Sequence, residues 1–350
     1  MKQIYSEIIQ CRGSHYDLGW MQGNALKDGL VLKNRKKQWK VNRPRFSVDE
    51  QEAKEVIFTF APQIWDELLG LQDALEWPIE EIIKFFSGYQ MEYRKSGCSI
   101  YTTEDYMIRN YDYHPKTYEG RFVLFQPTDK GHAIIGPSQL ITGRMDGMNE
   151  HGLAIGYNYI HQKKPGAGFV CNMIARIILE TCENVEQACE VLKEIPHRHS
   201  FTYVVLDTKG ITYAVEATPR KIIVREANIC TNHFEELTDE NRYHLDDSFR
   251  RMAAIQAEKQ NLNTVSDAFH YMNNREGDVF AHQYKSWSGT IHTSAYLPKQ
   301  KEVWFGLGGN ARPVIFDFAK WLSGEKLFIK RMIGELDTEA FFLHMDKEEY

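Results

Sequence analysis

Cys98 is the residue whose type and position most clearly suggest chemistry. It follows Ser96 and Gly97 and opens the alternating stretch CSIYTT, a placement that packing alone does not explain. A cysteine becomes a strong nucleophile when its thiol, with an ordinary pKa of about 8.5, loses its proton. The sequence therefore predicts a nucleophilic thiol at the start of a strand.

The other cysteines carry no comparable signal. The six cysteines are spread through the chain without a C-x-x-C pair, so their spacing predicts neither a zinc site nor a disulfide framework. Cys171 and Cys182 fall in the apolar stripe of a predicted helix, where a free thiol behaves as a small core hydrophobe. We expect the chain to need no metal ion and no cofactor.

Two polar patterns stand out downstream of Cys98. Arg109 and Asp112 form R-x-x-D on the next strand, where a hairpin neighbour can reach a chain terminus, although an exposed salt bridge fits the same spacing. Ser248 and Arg251 belong to the segment DDSFRRM, in which helical spacing turns one of two adjacent arginines inward and the other outward.

The elements that must position these side chains change character at Gly97. The first 95 or so residues read as helices, with Ser14 and Asp17 capping the first of them. Beyond that point, short runs rich in β-branched and aromatic residues alternate with turns, which predicts antiparallel strands. Adjacent helices are predicted over 170–182 and 184–195, followed by strands, two more helices and a last hairpin. This order predicts an α+β layered sandwich rather than a parallel β-α-β winding.

Composition places the chain among globular proteins. It has 350 residues, 43% of them hydrophobic, which is ample for a sizeable core. The net charge of −6 comes from well-mixed charges without a long single-sign block, so nucleic acid is not an expected partner. No apolar run approaches the roughly 18 residues that span a bilayer, and the start lacks the apolar core of a signal peptide. We therefore expect a cytoplasmic protein without a membrane partner.

The chain also resembles a known family, the acyl-CoA:6-aminopenicillanate acyltransferase-like enzymes, which are related to choloylglycine hydrolases such as bile salt hydrolase and penicillin V acylase. The similarity covers nearly all of the chain and rests on nine segments in the family's order: RGSHYDLGWMQG, SGCS, RNYDY, GMNEHGLAIGYN, AxxILExCxxVEQA, DTKGITYAVEATP, CTNHF, SFRR and WSGTIHTSAYLPKQKEVWFGLG. The resemblance implies a four-layer αββα sandwich, the N-terminal-nucleophile hydrolase fold, and a precursor that cleaves itself between Gly97 and Cys98. Residues 1–97 would then be a helical pro-segment or small chain, and residues 98–350 the catalytic domain.

The same resemblance implies an active site of six residues: Cys98, Arg109, Asp112, Asn158, Asn232 and Arg251. Cys98 would supply the attacking thiol and, once freed, an α-amine that acts as base, since its ordinary pKa of about 8 suits neutral pH. Asp112 would hold that amine, and Arg109 would favour the thiolate. Asn158 and Asn232 would donate to the oxyanion that forms when an amide is attacked. The arginine of the S-x-x-R element would approach the nucleophile.

The expected activity is the breakage of linear amide C–N bonds in small N-acyl compounds through an acyl-thioester on Cys98. Transfer of the acyl group to an amine, with acyl-CoA as a donor, would instead make the protein an N-acyltransferase. A Cys–His hydrolase in an intact chain would need a histidine beside Cys98, yet none of the 13 stands out, and His197 and His199 are expected to be solvated. A non-catalytic small-molecule binding protein on the same fold is the alternative from another class. A homo-oligomer is compatible with the sequence.

Overall fold

Two packed β-sheets with helices on both outer faces form the architecture in the computed structural model, which describes residues 1–42, 48–92, 97–161, 164–242, 245–286 and 288–347. The strands in these ranges are, in chain order, β1 Lys2–Gly13, β2 Gly97–Thr102, β3 Met107–Tyr113, β4 Arg121–Pro127, β5 Ile134–Gln139, β6 Gly143–Arg144, β7 Gly147–Asn149, β8 Ala154–Tyr159, β9 Phe201–Leu206, β10 Thr212–Ala217, β11 Ile222–Glu226, β12 Ile229–Cys230, β13 His282–Gln283, β14 Ser288–Leu297, β15 Glu302–Leu307, β16 Val314–Asp317 and β17 Arg331–Leu336. The helices are α1 His15–Leu26, α2 Leu30–Asn42, α3 Glu50–Phe60, α4 Gln63–Leu75, α5 Ile79–Phe86, α6 Cys171–Thr181, α7 Val185–Glu194, α8 Leu245–Glu258, α9 Val265–Asn273 and α10 Phe318–Leu322.

The strands divide into a larger and a smaller sheet. Among the described residues the larger sheet has ten strands in the order β11-β10-β9-β8-β7-β5-β4-β1-β17, with β6 beside β5. The smaller sheet has seven in the order β12-β2-β3-β14-β15-β16, with β13 beside β14. With one exception in the described ranges, neighbouring strands are antiparallel, as the alternating runs predict. The exception is β1 with β4, which run parallel.

Three hydrophobic clusters separate four layers. One fills the space between the larger sheet and its helices, with Ile178 of α6 in it. A second lies between the sheets and contains Ile100 from β2 and Ala154 from β8. The third joins the smaller sheet to α8 and α9, with Ile108 of β3 against Phe269. The predicted α+β sandwich with an αββα layer order is therefore confirmed.

The first strand corrects the expectation that the N-terminal segment is helical throughout. Residues 2–13 form β1, which pairs with β4 on one side and with β17 on the other. Ile4 and Ser6 are buried at alternate positions, as a strand requires. Local periodicity alone cannot reveal this assignment, since the strand's partners lie more than a hundred residues away. The division at residue 97 as a domain boundary stays a prediction.

The remaining N-terminal residues in the described ranges do form helices, and α1 packs closely across α4. The crossing depends on glycine: a Cβ atom at Gly19 would lie 2.0 Å from the backbone oxygen of Glu67, and one at Gly70 would lie 2.1 Å from that of Tyr16. No helix in the described part of the chain is both long and apolar enough to span a membrane.

Candidate active site

Strands β2 and β3 bring three of the six predicted site residues together. They pair antiparallel in a register that sets Gly97 opposite Asp112 and Cys98 opposite Tyr111. Side chains alternate between the two faces of a strand, so Arg109 and Tyr111 turn toward the other sheet, as Cys98 does. The hairpin therefore holds Cys98 and Arg109 on one face of the sheet, and it sets Asp112 beside Gly97.

The Cys98 thiol is almost completely buried, at 1% exposure. Its Sγ lies 3.4 Å from Nη2 of Arg109 and 3.9 Å from the backbone oxygen of Asp112. Burial raises the pKa of the thiol to about 11, although the positive charge of Arg109 acts in the opposite direction. The thiol of the uncleaved chain is therefore protonated at neutral pH, because loss of solvation outweighs the neighbouring guanidinium.

Arg109 is fixed by partners on the facing sheet. Its Nη1 donates to Asp146 at 2.5 Å and to the backbone oxygen of Met145 at 2.9 Å, and its Nη2 donates to the backbone oxygen of Tyr157. Gly156 leaves the necessary room, because a Cβ there would come within 3.0 Å of the Arg109 side chain. The guanidinium is thus held rigidly with one edge against the thiol.

Asp146 is a site residue that sequence reasoning missed. Its fully buried carboxylate also accepts hydrogen bonds from the hydroxyls of Ser294, at 3.0 Å, and Tyr296. Burial raises the pKa of Asp146, but the imidazole of His292, the charge of Arg109 and the Tyr296 hydroxyl together hold it well below its usual range. Asp146 lies just before β7, whereas its partners come from β3 and β14, so no local spacing in the sequence could have linked them.

Asp112 has a buried carboxyl group that is only partly hydrogen-bonded. Its Oδ1 accepts a hydrogen bond of 2.6 Å from the Thr290 hydroxyl, whereas its buried Oδ2 has no hydrogen-bond partner among the described residues. Burial is the main cause that raises the pKa of this carboxyl to about 8. Since Asp112 lies opposite Gly97 in the strand register, this carboxyl is close to the bond that the resemblance marks for cleavage.

Asn232 lies against the backbone of the nucleophile. Its Oδ1 accepts the backbone N–H of Cys98 at 2.8 Å and an N–H of Arg251 at 2.8 Å. Its Nδ2 donates to the backbone oxygen of Tyr159 at 2.9 Å. In the uncleaved chain Asn232 thus holds the nitrogen that would become an α-amine, and its role as an oxyanion donor stays a prediction.

Arg251 is the inward arginine of the S-x-x-R element, and Arg250 is exposed. The Nη1 of Arg251 donates to the backbone oxygen of Cys98 at 2.8 Å and to the Ser99 hydroxyl at 2.7 Å, while its Nε binds Asp247. Its position is therefore tied to the nucleophile and not to core carboxylates such as Glu216, which pairs with Arg225.

Asn158 lies one layer away, on β8 of the larger sheet. It is fully buried, and its Nδ2 donates to the backbone oxygen of Cys230 at 2.8 Å. Its Oδ1 has no hydrogen-bond partner among the described residues. Asn158 therefore supports the strand beside β2, and its oxyanion role stays a prediction.

The histidines correct one further expectation. His197 and His199 are buried rather than solvated, and each has an imidazole nitrogen facing a backbone oxygen, at 2.8 and 3.3 Å. Within the described ranges no histidine is hydrogen-bonded to the Cys98 thiol. His292 comes near the site only indirectly, 3.5 Å from the Asp146 carboxylate.

The chain is thus an α+β protein with the four-layer αββα fold of N-terminal-nucleophile hydrolases. Cys98 lies at the start of a strand of the smaller sheet and faces the larger one. The profile of the family described as acyl-coenzyme A:6-aminopenicillanic acid acyl-transferase matches residues 101–312, more than half of the chain, and the chain belongs to this family. Membership of this family confirms the expected enzyme class, an amide hydrolase or related N-acyltransferase.

Two solved structures are among those that resemble this chain. Penicillin V acylase from Agrobacterium tumefaciens is 16% identical with a TM-score of 0.47, over 64% of this chain and 86% of that one. A mutant of conjugated bile acid hydrolase from Clostridium perfringens is 16% identical with a TM-score of 0.45, over 71% of this chain and 99% of that one. Curated protein sequences contain no match to this chain.

Proposed function

We propose that the protein is a cysteine N-terminal-nucleophile enzyme that cleaves its own chain between Gly97 and Cys98. The mature enzyme then breaks linear amide bonds of small N-acyl compounds through a thioester on Cys98. One observation carries this proposal: the Cys98 thiol contacts the guanidinium of Arg109 while its backbone nitrogen is already hydrogen-bonded to Asn232. Packing of a core cysteine would require neither polar contact.

Self-cleavage begins with attack of the Cys98 sulfur on the carbonyl carbon of Gly97. The S–C bond forms, the C–N bond to Cys98 breaks, and the thiol proton ends on the departing nitrogen, which leaves a thioester and a free amine. Water then hydrolyses the thioester, releasing the Gly97 carboxylate and restoring the thiol. Glycine suits the attacked position because it adds little bulk beside the carbonyl.

The freed α-amine would find an acceptor already in place. The Oδ2 of Asp112 lacks a hydrogen-bond partner in the described structure. A charged amine formed beside this buried carboxyl would favour loss of its proton, and the resulting carboxylate would then accept the N–H of the amine. In turnover the amine takes the thiol proton as sulfur attacks the substrate carbonyl, and it returns that proton to the departing amine. Water then releases the acyl group as a carboxylic acid.

The acyl acceptor distinguishes two versions of this activity. The family's description names transfer to 6-aminopenicillanic acid, so an amine could replace water in the last step. Penicillin V can serve as a probe amide for both versions. Adding 6-aminopenicillanic acid with an acyl thioester should give an amide product if the protein is a transferase, and only free acid if it is a hydrolase.

Intact-mass analysis tests the proposal most directly. Wild-type protein should appear as two fragments that join at 97/98, whereas Cys98→Ala should remain one chain of 40.8 kDa. Cys98→Ser keeps a hydroxyl nucleophile and serves as the conservative comparison. An uncleaved wild-type chain with full amidase activity would refute the mechanism, and loss of that activity on a single histidine replacement would favour the Cys–His alternative. A protein with neither cleavage nor thioester formation would be a binding protein.

A further inference from the structure

We propose a binding site for a divalent transition metal, with zinc as its best-fitting ion, formed by His132, Glu150 and His151. The three residues lie outside the active site, at the edge where the loop before β5 meets the turn between β7 and β8. One ligand atom from each comes within 4.8 Å of the others. All three side chains are partly exposed, so an ion can reach them from solvent.

The distances from His132 to the other two ligand atoms suit a single ion. The Nδ1 of His132 lies 3.1 Å from Nε2 of His151 and 3.7 Å from Oε1 of Glu150. With zinc–ligand bonds of about 2.0–2.1 Å, these separations correspond to ligand–zinc–ligand angles of about 100° and about 125°, which bracket the tetrahedral value. Two imidazoles and one carboxylate leave a fourth position for water.

The backbone under these side chains is fixed before any ion binds. Asn149 accepts the backbone N–H groups of His151 and Leu153 at 3.0 Å each, and its Nδ2 is anchored on two carbonyls at the end of α6. The His132 backbone N–H donates to the Glu180 carbonyl at 3.0 Å. Binding would therefore order only side chains, which keeps its entropic cost low.

The protonation of the pair also favours an ion. Two imidazole nitrogens 3.1 Å apart cannot both carry a proton, so at least one of them offers a lone pair to an ion. A neutral imidazole is the form that binds metal. Since strands β5, β6 and β7 separate His132 from the other two ligands in the chain, the sequence alone does not reveal the cluster.

Zinc titration of the full-length Cys98→Ala protein tests this site without dependence on the proposed catalytic function, since that variant stays one chain and lacks the reactive thiol. Calorimetry should show one equivalent bound, and zinc should raise the melting temperature. His132→Ala and His151→Ala should each weaken binding by at least about tenfold, by analogy with changes around known metal sites.

His270→Ala is the matched control, because His270 is exposed on α9 and contacts the Ser266 carbonyl at 2.7 Å. It should leave both the affinity and the zinc-induced stabilisation unchanged. Circular dichroism of the metal-free variants shows whether weaker binding comes from the missing ligand or from loss of the fold. Stoichiometric binding that survives both ligand substitutions, or no binding by the parent protein, would overturn the proposal.

Discussion

Two opposite effects act on the thiol of Cys98, and both depend on how its neighbours are held. Burial disfavours the thiolate, and Arg109 favours it. The guanidinium can do so only while it stays at 3.4 Å from the sulfur, and Asp146 is its ionic anchor. Asp146 makes no contact with the sulfur, so it is a positioning residue for the proposed reaction.

Asp146→Asn should therefore slow self-cleavage and turnover by roughly 10- to 100-fold, by analogy with residues that orient metal ligands. The substitution removes the charge that anchors Arg109 and keeps the shape of the side chain. Cleavage is followed by intact mass over time, and turnover with penicillin V. Tyr296→Phe removes only one hydrogen bond to Asp146 and should have a smaller effect. A wild-type rate in a folded Asp146→Asn protein would contradict this role.

Asp112 lowers the stability of the uncleaved chain. Its folded pKa of about 8 exceeds its ordinary value of 3.8, so between these pH values the unfolded chain releases a proton that the folded chain retains. Stability must then fall as the pH rises through this window. The expected cost approaches several kcal/mol at pH 8, because each pKa unit corresponds to about 1.4 kcal/mol.

Asp112→Asn in the Cys98→Ala background should remove this pH dependence. The two proteins should melt at similar temperatures near pH 4, and the double variant should be the more stable one at pH 8. Calorimetric melting across this range measures the difference. If the two proteins differ in melting temperature by the same amount at pH 4 and at pH 8, the carboxyl of Asp112 titrates normally.

At the scale of elements, the N-terminal segment is bound to the rest of the molecule by more than the 97/98 peptide. Strand β1 pairs along its length with β4 and β17. Beneath the larger sheet, Arg176 of α6 forms buried ion pairs with Glu67 of α4, at 2.8 Å, and with Glu180. Breaking the peptide would leave all of these contacts in place.

Both fragments should therefore elute together in gel filtration after cleavage and separate only in denaturant. Glu67→Gln should weaken this association, since breaking a buried ion pair typically costs about 3–5 kcal/mol. Glu76→Gln is the control, because Glu76 pairs with Lys27 at the surface and should leave the complex unchanged. Fragments that separate in native buffer would show that the sheet does not hold them.

The elements that could be predicted are those whose signals are local. Ser14 and Asp17 form the expected capping box of α1, and Asn184 caps α7. The prediction that Arg109 and Asp112 lie beside the nucleophile depended on the family resemblance, because the R-x-x-D spacing alone fits an exposed salt bridge. The positions of β1 and Asp146 could not be foreseen, because each depends on contacts between distant segments that no periodicity encodes.

For the whole molecule, the arrangement of thiols connects the fold to the proposed maturation. All six cysteines are free and buried, including Cys98, which lies in the space between the two sheets. A substrate must reach this thiol in a mature enzyme, so cleavage has to open the site. Four of the other thiols lie between the larger sheet and its helices: Cys11, Cys171, Cys182 and Cys189. Cys230 lies in the same cluster as Cys98, but on the neighbouring strand β12, where it is buried.

Native processed protein should consequently expose one thiol to Ellman's reagent, and Cys98→Ala should expose none. In denaturant the counts should be six and five, because the substitution removes one cysteine from the six in the chain. Several reactive thiols in the native protein would mean that the core is loosely packed. If processed wild-type and Cys98→Ala proteins react alike, Cys98 stays sealed after cleavage and cannot be the residue that attacks a substrate.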